Sequence, residues 1–191
     1  MATQYQRNQG WTDRSRQDAP RITISVADVQ LKNIPATLFS DIAQDKARTV
    51  HEAGEGKKNK STQLRRFYDE LVMWYERVQF ERTPAERSAK YEEVAPFIQM
   101  LVAKAAYAKG RDHVDECFET LFAHLIRQIS DADSLRHAKL FMEAFMGFYK
   151  AEDGKVKPVE GMSDEELKAK KAELKAKREE LAKNLASYVD I

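Results

Sequence analysis

Lys57, Lys58, Lys60, Arg65 and Arg66 crowd the run KKNKSTQLRRFY at positions 57–68, which holds no acidic residue. The apolar spacing that follows predicts a helix from about Thr62, so these cations sit where the macrodipole is positive and several amide N–H groups lack acceptors. Acids are favoured at that end, and each cation there costs about 0.3–1 kcal/mol. A phosphate reverses the sign, because amides and cations can point at it together. The chemistry on offer is capture of a nucleic-acid backbone. Arg65 and Arg66 also have an ordinary explanation, since Asp69 and Glu70 stand four residues later. That order of base before acid is the weaker one, worth only ~0.2–0.5 kcal/mol per pair, and it leaves the three lysines unexplained.

A second basic group, Lys104, Lys109 and Arg111, surrounds the helix end expected at Gly110. Cations are favoured at a carboxy terminus, so dipole stabilisation accounts for much of it. Tyr107 falls near Lys104 and off the apolar stripe, where an aromatic ring beside a cation can stack on an unpaired base or ribose.

Nothing else has the spacing for catalysis. His113 and Cys117 are four apart and could supply two metal ligands, but His124 lies roughly 10 Å further along the helix and cannot join the same ion. The run GEGKK at 54–58 lacks the spacing and the preceding strand of a phosphate loop. Acid pairs such as Glu92–Glu93, Glu165–Glu166 and Glu179–Glu180 are adjacent and diverge on a helix. We expect no enzyme, no metal site and no cofactor.

The elements that must position the cations are helical. Seven glycines and five prolines are few for 191 residues. Pro35 suits the first turn of a helix carrying Leu38, Ile42 and Val50 until Gly54 and Gly56 break it. Leu64, Phe67, Leu71, Trp74 and Val78 step by three and four, the strongest amphipathic signal in the chain. Thr83-Pro84 opens the next helix, and Pro96 must kink it or start another. Asp112 is the expected cap of a helix bearing Val114, Phe118, Leu121, Phe122, Leu125, Ile126 and Ile129. Leu135 to Tyr149 is apolar around much of its circumference and should be central. Met73, Met100, Met142 and Met146 are expected to fill gaps in the core.

The fold expected is an all-α bundle of about five helices over 35–155. Residues 1–34 form a flexible or extended amino-terminal arm in which Ile22, Ile24 and Val26 alternate without a partner strand, so that stretch should lie on the helices. Residues 156–191 read as a linker and a carboxy-terminal amphipathic helix, with Leu167, Leu174, Leu181 and Tyr188 recurring every seven residues among the seven acids and seven bases of residues 162–191. That single apolar line suits a solvated helix leaning on the bundle better than a dimerising coil.

The 32 basic and 31 acidic side chains give a formal charge of +1, so no global field attracts a polyanion and any such binding is local. One cysteine excludes an internal disulfide framework. Without a long apolar run or a secretory pattern, a soluble cytoplasmic protein is expected, with no membrane partner.

Three segments, STQLRRFYDEL at 61–71, PFIQMLVAKAAYAKGR at 96–111 and FMEAFMGFYKAEDGK at 141–155, resemble in that order the small subunit of the type III-A CRISPR effector, the Csm complex. The resemblance covers roughly residues 35–155 and leaves the start and the Lys/Glu-rich tail outside. It implies a non-catalytic five-helix bundle, stacked in several copies beside other subunits along guide RNA paired with target RNA. Lys57, Lys58, Lys60, Arg65, Arg66, Lys104 and Arg111 match basic family positions, and Tyr107 joins them from the stacking argument. RNA would be held by its backbone without base discrimination. A protein-only helical adaptor and a helical DNA-binding regulator are the competing readings.

Overall fold

Leu64, Leu71 and Val78 are fully buried along one seam of α2 (Ser61–Gln79), as their spacing predicts. The computed structural model describes residues 22–154 and Ala172, and in it four further helices pack around that seam. They are α1 (Ala43–Ala53), α3 (Pro84–Gly110), α4 (Glu116–Arg127) and α5 (Ala132–Asp153), with a π-helical turn at Leu38–Ile42 leading into α1. The described residues contain no strand, and the fold is an all-α bundle. Both the linker at 156–161 and the tail with its heptad line lie outside them, Ala172 apart, as do residues 1–21 of the arm.

Phe118 and Phe122 of α4 and Phe141 and Phe145 of α5 are fully buried, each burial contributing about 1.5–3 kcal/mol. Phe67 of α2 lies against Phe118 and Phe122 at centroid distances of 5.4 and 5.2 Å. Helix α5 packs on both α1 and α2, and α3 packs on α4 and α2. The expectation that α5 is central therefore holds.

Several local expectations are corrected. The first helix starts after Pro35, because Leu38 N–H closes a turn on the Pro35 carbonyl and Ile42 N–H reaches back five residues to Thr37. Of the two outcomes expected at Pro96, a new helix does not begin there, since α3 runs 27 residues through it. Pro96 and Glu92, whose carbonyl loses its helical donor to the proline, are both exposed. Asp115, not Asp112, caps α4: its Oδ1 accepts from Phe118 N–H at 2.9 Å, while Asp112 takes a left-handed φ of 56° three residues earlier. Met73 and Met100 are 36% and 52% exposed instead of filling core gaps, whereas Met142 is fully buried.

Residues 22–34 run over the bundle without regular structure, turning at Ala27–Asp28, and their anchors are Val29 and Leu31, both buried. Their backbone is paired by side chains of the helices below. Gln128 Nε2 donates to the Val29 carbonyl at 2.8 Å and Gln128 Oε1 accepts from Leu31 N–H at 3.1 Å. His124 meets the same Val29 carbonyl at 2.9 Å and His137 meets the Leu31 carbonyl at 3.1 Å, which satisfies polar backbone that packing would otherwise leave unpaired.

Candidate nucleic-acid interface

The lysine-rich loop is held from inside by a neutral residue. Asn59 is fully buried with a left-handed φ of 55°, a conformation asparagine tolerates better than most side chains. Its Nδ2 donates to the Val50 carbonyl of α1 at 2.8 Å and to Asp115 Oδ1 at 2.9 Å, and its Oδ1 accepts from Asp115 N–H at 2.9 Å. Its own N–H donates to the His113 carbonyl at 3.0 Å, and Tyr149 of α5 donates to its carbonyl at 2.5 Å. Burial raises the Tyr149 hydroxyl well above the ordinary range, so it stays a donor. Gly54 completes the turn. A Cβ there would sit 2.8 Å from the Lys58 carbonyl, so only glycine lets the loop fold back on the end of α1.

This anchoring turns Lys57 and Lys60 outward at the start of α2. Lys60 is the residue before the first helical turn, its ammonium hydrogen-bonds the Gly56 carbonyl, and no side chain caps the helix. Lys58 is different: its Nζ lies 2.6 Å from Asp112 Oδ1, an acid brought from the loop after α3. That hydrogen bond, and the charge behind it, hold the Asp112 carboxyl below its usual range. Arg65 pairs with Asp69 at 3.3 Å, as the four-residue spacing suggests. The matching pair of Arg66 with Glu70 does not form, because Glu70 is taken by Lys104 of α3. Among the described residues Lys57 and Arg66 meet no carboxylate, and both are exposed.

The amino end of α2 is less bare than its sequence suggests. Asp153, at the last turn of α5, accepts from the Ser61 hydroxyl through Oδ2 and stands 3.3 Å from His51 Nε2 through Oδ1. An acid that the local sequence lacks is thus supplied from 92 residues away. No short-range pattern carries that signal.

The second basic group meets the first through the Lys58–Asp112 bridge. Lys104 is neutralised by Glu70, and Lys109 by Glu119 at 3.3 Å. Tyr107 is 65% exposed, and Arg111 donates to its hydroxyl at 3.0 Å with the guanidinium 5.8 Å from the ring centre. An aromatic–cation pair therefore stands open to solvent at the end of α3.

Two features escaped the sequence reading. An open groove of about 690 Å³ lies between α2 and α5, with Arg65 and Arg66 on the α2 side and Lys150 on the other. On the opposite side of α2, Trp74 stacks on the half-exposed Phe97 of α3 at 5.6 Å with Met73 and Met100 exposed nearby in sequence, and Arg77 covers the Trp74 ring at 4.9 Å. The i, i+3 spacing of Phe97 and Met100 was a visible signal, of which only Met100 was taken up, as a core residue. No three His, Cys, Asp or Glu side chains converge as a metal site among the described residues. Nor is any described helix long and apolar enough to cross a membrane.

Comparison with curated proteins and with solved structures returns no match for this chain. Comparison with family models matches residues 36–155 to Csm2 Type III-A, a span that takes in the whole bundle from the π-helical turn to the end of α5 and with it both basic groups. The chain therefore belongs to the Csm2 type III-A family, the small subunits of the type III-A CRISPR effector known as the Csm complex.

Proposed function

We propose that this subunit holds the guide and target RNA backbone without reading sequence, carries out no catalysis itself, and repeats along the effector so that weak contacts add. The observation that carries the reading is the pair of exposed cations, Lys57 and Arg66, that flank the uncapped start of α2 with no carboxylate of the described protein to neutralise them. Lys60, bonded only to a carbonyl, and Arg65, weakly paired and 67% exposed, extend the same edge. An exposed ion pair is worth ~0–1 kcal/mol, so a phosphate can draw Arg65 from Asp69 at little cost. Tyr107 and Arg111 supply a stacking surface beside it. Lys58 and Lys104 contribute less than their charge implies, since each already has an acid.

A single copy binds weakly, and linking copies along one strand raises the effective concentration of each contact. The exposed Phe97 and Met100 support contact with another subunit of the complex, because aromatic residues and methionine are enriched at the centres of such interfaces. Replacing Lys60, Arg65 and Arg66 together by glutamate tests the reading: RNA loading should fall while incorporation into the complex survives. Unchanged RNA loading would favour the protein-only adaptor, and preference for duplex DNA in competition with single-stranded RNA would favour the DNA-binding regulator.

A further inference from the structure

The groove between α2 and α5 contains a glycine that the fold itself does not explain. Gly147 stands inside α5, where glycine weakens a helix relative to alanine. Nothing lies within 4 Å of where its Cβ would be, so no neighbour in the described protein requires the side chain to be missing. The position lines the groove, together with Thr62, Arg65, Arg66 and Lys150.

Charge favours an anionic occupant. Asp69 and Glu143 also line the groove, but Asp69 is held by Arg65 at 3.3 Å and Glu143 by Lys139 at 2.6 Å. Arg66 has no carboxylate partner among the described residues, and Lys150 is 76% exposed with Asp153 at 3.8 Å, the margin of an ion pair. One cation therefore stands on each side of an open channel whose glycine leaves room for something to press on the helix.

We infer that a single-stranded RNA backbone runs along this groove, lying against the bare backbone of Gly147, with Arg66 on one phosphate, Lys150 on another and the Thr62 hydroxyl between them. This rests on the RNA-binding reading above and adds Gly147 and Lys150 to it. A side chain at position 147 would fill the space the sugar-phosphate chain occupies.

The test uses the full chain, a fluorescently labelled single-stranded RNA read by anisotropy across a salt series, and thermal melting of each variant. Gly147→Ala should raise the melting temperature by about 2–4 °C, since the helix gains and nothing clashes. Gly147→Leu should keep the fold and lower RNA affinity roughly tenfold. Lys150→Gln, an exposed change that does not threaten the fold, should make the salt slope shallower by about 0.7. Parent-like binding by both Gly147→Leu and Lys150→Gln, with binding lost in the Lys60/Arg65/Arg66 glutamate variant, would overturn the groove path and leave the RNA-binding reading intact. Parent-like binding by all three would overturn both. Gly147→Leu that binds RNA normally but no longer enters the complex would assign the groove to a protein segment, which also overturns the inference.

Discussion

Asn59 and Asp115, 56 residues apart, share two hydrogen bonds of 2.9 Å: the amide of Asn59 donates to the carboxylate that caps α4, and Asp115 N–H returns one to Asn59 Oδ1. The cap of a core helix and the inner pin of the cationic loop are the same joint. Its consequence is that the loop's lysines are displayed by a rigid element, although the loop itself has no regular structure.

Asn59→Ala leaves the Asp115 N–H without its acceptor and removes one of two donors each from the Val50 carbonyl, which keeps Gly54 N–H, and from Asp115 Oδ1, which keeps Phe118 N–H. The orphaned N–H costs about 1–3 kcal/mol and each of the two other lost hydrogen bonds about 0.5–1.5 kcal/mol, partly relieved by local movement, so a loss of about 2–4 kcal/mol is expected. Urea unfolding measures it. A loss below about 0.5 kcal/mol, the range of ordinary surface changes, would mean that the loop is not pinned as described.

Acid should unfold the bundle through its caps. The carboxyl of Asp131 is lowered chiefly by the backbone hydrogen bond from Ser134, that of Glu86 chiefly by the one with Thr83, and that of Asp112 by Lys58. A carboxyl lowered in the fold binds its proton more readily when unfolded, so its stabilisation is full above the unfolded value of about 4 and fades as pH drops through the folded one. The urea midpoint should therefore be flat from pH 6 to about 4.5 and fall below that. Asp131→Asn keeps a side-chain oxygen for Ser134 N–H, since Asn caps about as well as Asp, and should lessen the acid dependence without loss at neutral pH. An unaltered acid limb in that variant would remove Asp131 from the account.

Asp112→Asn should strengthen RNA binding. It releases Lys58, which the 2.6 Å bridge now neutralises, and adds one cation to the edge formed by Lys57 and Lys60. The log–log salt slope, expected at roughly −2 to −3 for three to four phosphates on a single strand, should steepen by about 0.7. Weaker binding in this variant would show that the Lys58–Asp112 bridge shapes the site rather than restraining it.

Cys117 should react as a buried thiol. It is 2% exposed, its Sγ donates to the Ile22 carbonyl at 3.2 Å, and burial, helped by Asp115, pushes its pKa up to about 11. Thiolate is the reactive form, so alkylation of the native protein at pH 8 should be slow and should track global unfolding as urea is added. Rapid native labelling would mean that the segment over α4 opens locally.

The helices were legible because burial imposes a period of three or four on residues such as Leu64, Leu71 and Val78. Their exact ends were less so. Asp112 and Asp115 are equally good caps by composition, and only the placement of Asn59 beside Asp115 selects between them. Pro96 left two outcomes open in the sequence, a kink or a new helix, and the fold carries α3 through it with the ring exposed, a placement that is not a local property of the sequence. Met100 was assigned to the core by its apolar character, but it stands 52% exposed on α3.

Composition, periodicity and the order of three segments sufficed for an all-α bundle of this family, since those depend on side-chain type and near neighbours along the chain. Which cations remain open to a ligand was decided only in three dimensions. Asp112, Glu70 and Asp153 come from distant elements to meet Lys58, Lys104 and Ser61, while Lys57 and Arg66 are left without an acid among the described residues. Electrostatic pairing acts over a few ångströms of space, so a charge cluster acquires its meaning from what folding brings beside it.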